Sequence, residues 1–269
     1  MFFYYSSEIV EGIIVSLYIL FCSIRSMDIP ISIRRFHDSD FERHMVNSKS
    51  TLTKTIDDIK NKLRDHQLIK FRNSCFGHFL DLDELMFSGQ IVNHMLYKQC
   101  ICDDEKIMEF KFGGSGARFT RQEFGLISGL HCGDQPARRP APSRRISDKY
   151  FDGLNKVSND VIISVFHNAS CNDDDQEDDD RLKLALLLFL ETVVLSKAHK
   201  STTKPNHMEM VDDLDFFNSY PWGTLSFNVT IRSLHAAFAH RYSKTSNNSR
   251  TYNIIGFPMP FMVCPFIKI

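Results

Sequence analysis

Cys75, His78 and Asp81 fall within seven residues of one another, and a thiol beside a base and an acid is the outline of a cysteine nucleophile with its activating pair. The spacing argues against that chemistry. Residues three apart share one helix face, whereas a base that takes the thiol proton must approach it from a separate element. No catalytic residue is assigned, and the chain is expected not to be an enzyme.

Cys100, Cys102, His131 and Cys132 carry four ligand atoms of the kind that hold zinc. Cys-x-Cys lacks the two-residue knuckle spacing, and an adjacent His-Cys pair strains a tetrahedral site. These four are therefore read as separate, partly buried residues, with no metal and no other cofactor expected. Gly113-Gly-Ser-Gly116 offers backbone N–H groups to a phosphate, yet it lacks the Lys-Ser or Lys-Thr of a phosphate loop and leads into Arg118-Phe119. It is read as a hairpin turn.

Arg138, Arg139, Arg144 and Arg145 form the one clustered basic patch, in the stretch QPARRPAPSRR. They are the candidate binding residues, for nucleic-acid phosphate or for an import receptor. Arg144-Arg-Ile-Ser147 also matches a basic-directed phosphorylation site. The acidic run Asp173–Asp180 is read as a solvated loop that could attract the basic one.

The rest of the composition is that of a chain with a sizeable core: 43% hydrophobic and 24% charged residues over 269, with 23 phenylalanines against one tryptophan. A net charge of -1 and a pI near 6.8 exclude a global basic footprint, so any nucleic-acid contact must be local. The seven scattered cysteines fit reduced thiols of an intracellular, non-secreted protein. Gly12–Ile24 is apolar but only 13 residues long, short of the roughly 20 that span a bilayer. Glu8 and Glu11 stand where a signal peptide carries positive charge. The segment is read as a core-packed helix, or as an upstream extension with the start at Met27 or Met45, and no membrane partner is expected.

The elements that must position these residues follow from periodicity. Residues 1–50 are taken as a lead-in and 51–269 as the domain. Helices are expected from Thr51 to about Gln67, over Phe76–Leu82, over Ile91–Tyr97 and over Val157–Asn168. Ile107–Phe112 and Ala117–Phe119 alternate as strands, and Thr120-Arg-Gln-Glu123 is a capping box that opens a helix closed by Gly129. Arg181–His199 is apolar on nearly every side apart from Glu191, so it should be the central buried helix. Helices are also expected over Met208–Phe217 and Val229–Arg241, with Ser219–Gly223 as a turn between them and Ile254–Ile269 extended. The fold class is α+β: mainly helical, with a small antiparallel hairpin, in a single globular domain.

Six phrases in order then carry a resemblance: Phe76-Gly-His-Phe-Leu-Asp81; Phe112-Gly-Gly-Ser-Gly-Ala-Arg-Phe119; Glu123-Phe-Gly-Leu-Ile-Ser-Gly-Leu130; Asp180-Arg-Leu-Lys-Leu-Ala185; Val211-Asp-Asp-Leu-Asp-Phe216 with Tyr220-Pro-Trp-Gly223; and Gly256-Phe-Pro258. Over roughly residues 60 to 260 the chain resembles the plant DUF1985 family, a domain of unknown function. It is distantly similar to the plant mobile domain. The resemblance implies a plant-specific, transposable-element origin, often upstream of a peptidase domain similar to SUMO-processing proteases. Those peptidases run His, Asp, then Cys along the chain, the reverse of Cys75, His78 and Asp81. The family has no established catalytic residues to carry over. Met259–Ile269 departs from the family's usual ending, which suggests a truncated or frame-altered copy.

The leading expectation is a non-enzymatic accessory or interaction domain, nuclear, with a protein or nucleic-acid partner. The alternatives are a regulatory or targeting module, or relic, of a SUMO-protease-like cysteine peptidase, and a nucleic-acid-binding module working through the basic loop 138–145. A copy without selected function is a further possibility, favoured by the altered C-terminus.

Overall fold

Residues 184–195 of the central segment are buried without interruption, as a helix with no polar face requires. The structure, a computed structural model, describes residues 34–37, 41, 44–82, 85–112, 115–140, 142–154, 156–169, 175–197, 202–240 and 251–264. The apolar run Gly12–Ile24, Gly113 and Gly114, Cys22, Cys171 and the last five residues lie outside these. Among the described residues the order is β1 (Met45–Ser48), α1 (Leu52–Lys62), α2 (Asp65–Arg72), a 3-10 turn (Gly77–Asp81) and α3 (Gly89–Tyr97). It continues with β2 (Met108–Phe112), β3 (Ser115–Phe119), α4 (Arg121–Ser128), α5 (Arg145–Tyr150), α6 (Asn159–Asn168) and α7 (Asp175–Phe189). A π turn (Leu190–Val194) extends α7, and α8 (Pro205–Asp212), α9 (Leu214–Ser219), α10 (Trp222–His240), β4 (Thr251–Ile254) and α11 (Met259–Val263) complete it.

The expected class holds: mainly helical, with a hairpin in which β2 and β3 pair antiparallel from Met108 opposite Phe119 to Phe112 opposite Ser115. A second pair was not anticipated. β1 runs parallel to β4, Met45 opposite Thr251 and Ser48 opposite Ile254. Four residues are too few to display an alternation, and a parallel partner some 200 positions away leaves no local turn signal. β1 lies upstream of the expected boundary at Thr51, and Val46 belongs to the same continuous core as Cys264.

The end of the central helix is the point to which the other elements are tied. Widening to a π turn, with the Leu195 N–H bonded to the Leu190 carbonyl at 2.9 Å, turns its last carbonyls outward. Buried helix ends need partners for such groups, and here they come from all around. Glu191 O accepts from Asn159 on α6, Thr192 O from the Thr51 N–H, Val193 O from Ser50 Oγ, Val194 O from Ser226 Oγ on α10, and Leu195 O from the Gly256 N–H. The phenylalanines fill the space between in two groups. Phe71, Phe76 and Phe79 surround Phe189, with ring centroids 5.1–6.0 Å apart. Phe119 packs on Phe124, Phe227 and Phe261. These offset and edge-on contacts are the favourable aromatic arrangements.

Several expected boundaries move. The helix expected to Gln67 is two helices, α1 and α2, and Phe76–Leu82 is a 3-10 turn. Met208–Phe217 divides at Asp213, whose carboxylate caps α9 by accepting from the Phe216 N–H. The turn expected at Ser219–Gly223 ends earlier, since Trp222 and Gly223 begin α10. The tail is not extended throughout: after Pro258, α11 places Met259, Phe261 and Met262 in the core.

Candidate functional site

Each member of the Cys75, His78, Asp81 group faces a different neighbour. The Cys75 N–H donates to Asn218 Oδ1 at 3.0 Å, and burial pushes its thiol up to about 12, so almost no thiolate exists near neutrality. His78 Nε2 lies 2.8 Å from the Ser128 carbonyl, an acceptor, so that nitrogen carries the proton. Asp81 is held by two hydrogen bonds from Arg72, at 2.6 and 2.7 Å. No relay links the three.

Cys100 is buried, its N–H bonded to the Glu109 carbonyl, while Cys132 lies in the crevice where α4 meets α10, its sulfur against Gly125 and Gly223. Burial pushes the Cys132 thiol up to about 11 and that of Cys264, beside the Arg118 carbonyl, to about 12. Among the described residues no group of three or more His, Cys, Asp or Glu side chains is placed to hold a metal ion. No helix of these residues is long and apolar enough to cross a membrane.

The four arginines of the basic stretch separate into two kinds. Arg138 pairs with Asp213 at 2.6 Å and Arg144 with Asp148 at 3.3 Å, both from largely exposed positions. Arg139 is exposed, with no carboxylate partner among the described residues. Arg145, the first residue of α5, is half-buried and engaged by two carboxylates instead. It donates to both Asp180 oxygens, at 2.8 and 2.5 Å, and to Asp212 Oδ1 at 2.6 Å. Lys149 and Tyr150 add hydrogen bonds to Asp180, and Lys183 and Ser143 to Asp212.

This network corrects the reading of Asp173–Asp180 as a solvated loop. From Asp175 the run is the first part of α7, and Asp180 is 0% exposed. Burial alone would raise the carboxyl pKa of Asp180 and Asp212. The hydrogen bonds from Arg145, Tyr150 and Lys149, and from Arg145, Lys183 and Ser143, bring them below the usual carboxylate range instead. The attraction expected between the acidic and basic stretches exists, as a partly buried clamp joining α5, α7 and α8. Ser147, the residue of the phosphorylation match, is buried and donates to the Leu154 carbonyl at 2.9 Å.

A second charged centre escaped sequence reasoning. Glu191, in the π turn, is 0% exposed; its Oε1 meets His207 Nδ1 at 2.5 Å and its Oε2 meets Lys197 Nζ at 2.9 Å. Burial opposes the charge, but the hydrogen bond and charge of His207, followed by Lys197, hold its pKa below the ordinary value. The His207 ring stands edge-on to Trp222, centroids 5.6 Å apart. Carboxylate, imidazole and ammonium are the groups of a general base, yet here each carboxylate oxygen is engaged and the imidazole is sealed under the tryptophan. The one available signal was the glutamate interrupting KLALLLFLETVVL; its partners, 6 and 16 residues on, follow no pattern.

At the surface, Val229, Arg232, Ser233, Ala236 and Ala237 of α10 and Thr251, Tyr252, Asn253 and Ile255 on β4 line an open groove of about 630 Å³. The family model described as "Domain of unknown function (DUF1985)" matches residues 96–233, from the end of α3 into α10, and so encloses the arginine clamp and the Glu191 centre. No curated protein and no solved structure matches the chain.

Proposed function

The chain belongs to the DUF1985 family of domains of unknown function, and from that premise we propose that it is a non-enzymatic interaction domain whose contact surface is the loop carrying Arg138, Arg139 and Arg144. One observation supports this reading: Arg145, half-buried, is engaged by the buried Asp180 and by Asp212, whereas Arg138, Arg139 and Arg144 are exposed. The sealed state of Glu191 and the raised thiols of Cys75, Cys132 and Cys264 support a non-catalytic role.

Arg138 and Arg144 of this loop already donate to carboxylates, of Asp213 and Asp148, which favours a protein partner with acidic side chains. Phosphate of a nucleic acid is the second reading, supported by the exposure of Arg139 and Arg144. The same two aspartates weaken it, because a polyanion would have to approach them too. The reading includes a nuclear setting, for which the exposed arginines offer an import receptor its charge, and a transposable-element origin, which rests on the resemblance alone.

The test is a triple substitution, Arg138→Glu with Arg139→Glu and Arg144→Glu, leaving Arg145 in place. Affinity capture from nuclear extract with the wild-type chain should yield partners that the triple variant loses, while its melting temperature stays within about 2 °C of wild type. Equal capture by both proteins sinks the protein reading. A labelled duplex or single strand shifted at moderate salt by wild type and not by the variant would favour the second one. Cleavage of a SUMO precursor by the purified chain would overturn the non-enzymatic reading.

A further inference from the structure

We propose that Ser147 is a gated phosphorylation site: a basic-directed serine kinase reaches it only when α5 lifts from its clamp, and the phosphate then keeps α5 from closing. The motif is Arg144-Arg-Ile-Ser147, two arginines standing just before the hydroxyl, a pattern that a kinase with acidic substrate contacts reads as charge. In the closed chain this motif is withdrawn. Ser147 is 6% exposed, its hydroxyl donates to the Leu154 carbonyl at 2.9 Å, and Arg145 is taken by Asp180 and Asp212. A kinase has to hold the hydroxyl and both guanidinium groups at once, so the closed form is no substrate.

The same contacts outline a unit that opens by itself. α5 has six residues, fewer than the roughly 12 that a helix needs to persist without packing, and no side chain caps its start. Asp152 at φ +51° and Gly153 at φ +69° follow it, the first in a left-handed conformation that costs a residue with a Cβ. Helix and turn are tied to each other: the Gly153 N–H donates to the Ser147 carbonyl at 3.0 Å, and Arg144 to the Gly153 carbonyl at 3.0 Å. Toward the rest of the fold, Ile146 and Phe151 are buried in the core, while Arg145, Lys149 and Tyr150 all converge on one carboxylate, that of Asp180. A short segment held through a single charged hub opens locally before the whole chain unfolds.

In the open form the γ-phosphoryl group of ATP passes to Ser147 Oγ. The new bond is Oγ–P, the bond from the γ-phosphorus to the bridging oxygen breaks, ADP leaves, and the hydroxyl proton goes to the catalytic carboxylate of the kinase. The product cannot return to the closed position. The place that receives Ser147 excludes water, and the group facing its oxygen is the Leu154 carbonyl, an acceptor that repels a phosphate dianion.

The test incubates the full chain with ATP and the catalytic subunit of the cyclic-AMP-dependent kinase, and follows Ser147 by mass spectrometry. A synthetic peptide of residues 138–151 supplies the rate of a motif that is always open. The wild-type chain should be modified at least about tenfold more slowly than the peptide, yet to completion. Asp180→Asn weakens the clamp without touching the motif and should raise the rate at least about fivefold, and Ser147→Ala should remove the modification. Gly256→Ala, which loosens the chain at the turn before α11, should leave the Ser147 rate within about twofold of wild type. Once modified, the chain should be cut by trypsin after Lys149 at least about tenfold faster than before. The proposal is overturned if peptide and chain are modified at one rate, or if the wild-type chain is not modified at all. It is equally overturned if Gly256→Ala accelerates the reaction as much as Asp180→Asn, which would make global unfolding the route, or if trypsin cuts both forms alike. No partner of the basic loop enters these assays, so failure here leaves the loop reading untouched.

Discussion

Glu191 occupies an inhospitable place for a carboxylate, at the negative end of a helix and wholly out of water. It remains charged because His207 and Lys197 each meet one of its oxygens. Asp180 and Asp212 are kept ionised in the same manner by Arg145, with Tyr150, Lys149 and Lys183 beside it. All three carboxyls therefore titrate below their unfolded values. A group whose folded pKa is depressed contributes stability above its unfolded pKa and loses it as pH falls toward the folded value. The unfolding free energy measured in urea should thus change little between about pH 7 and 5 and drop steeply below about pH 4. Stability that persists unchanged to about pH 3 would contradict the assigned contacts.

At the level of elements, the close approaches decide more than the propensities do. Gly256 sits at φ +90° between β4 and α11, and a Cβ there would lie 2.3 Å from Thr230 Oγ1, the oxygen that accepts from the Phe257 N–H. Its own N–H caps the central helix at Leu195. Gly256→Ala combines left-handed strain with that clash and should cost about 2–3 kcal/mol, read as a lower urea midpoint with an unchanged slope. Where an element announces itself locally, the sequence was enough. Thr120 and Glu123 form the reciprocal cap expected of them, Gly129 closes α4 at φ +71°, and the hairpin strands pair in the expected place. What escaped depends on distant partners. The β1–β4 pair and the capping of residues 191–195 by the chain around them are both set by tertiary contact. Asp173–Asp180 misled because seven acids in eight residues look solvated, and only the fold supplies Arg145 to one of them.

For the molecule as a whole, the basic stretch divides its labour, and the sequence could not have divided it. Four arginines of one composition read alike until α5 begins at the fourth and brings it against Asp180 and Asp212. The site that sequence reasoning named is partly scaffold: Arg145 joins α5 to α7 and α8, while Arg138, Arg139 and Arg144 remain on the outside. Only these three can be spent on a partner without loosening the fold.

The most direct test is the urea stability of four single variants, Arg138→Ala, Arg139→Ala, Arg144→Ala and Arg145→Ala. Exposed ion pairs contribute little, so the first three should each fall within about 0.5 kcal/mol of wild type. Arg145→Ala leaves a fully buried aspartate short of its principal partner and should lose about 2 kcal/mol or more. Four equal and small effects would contradict the account, placing Arg145 on the surface with the others.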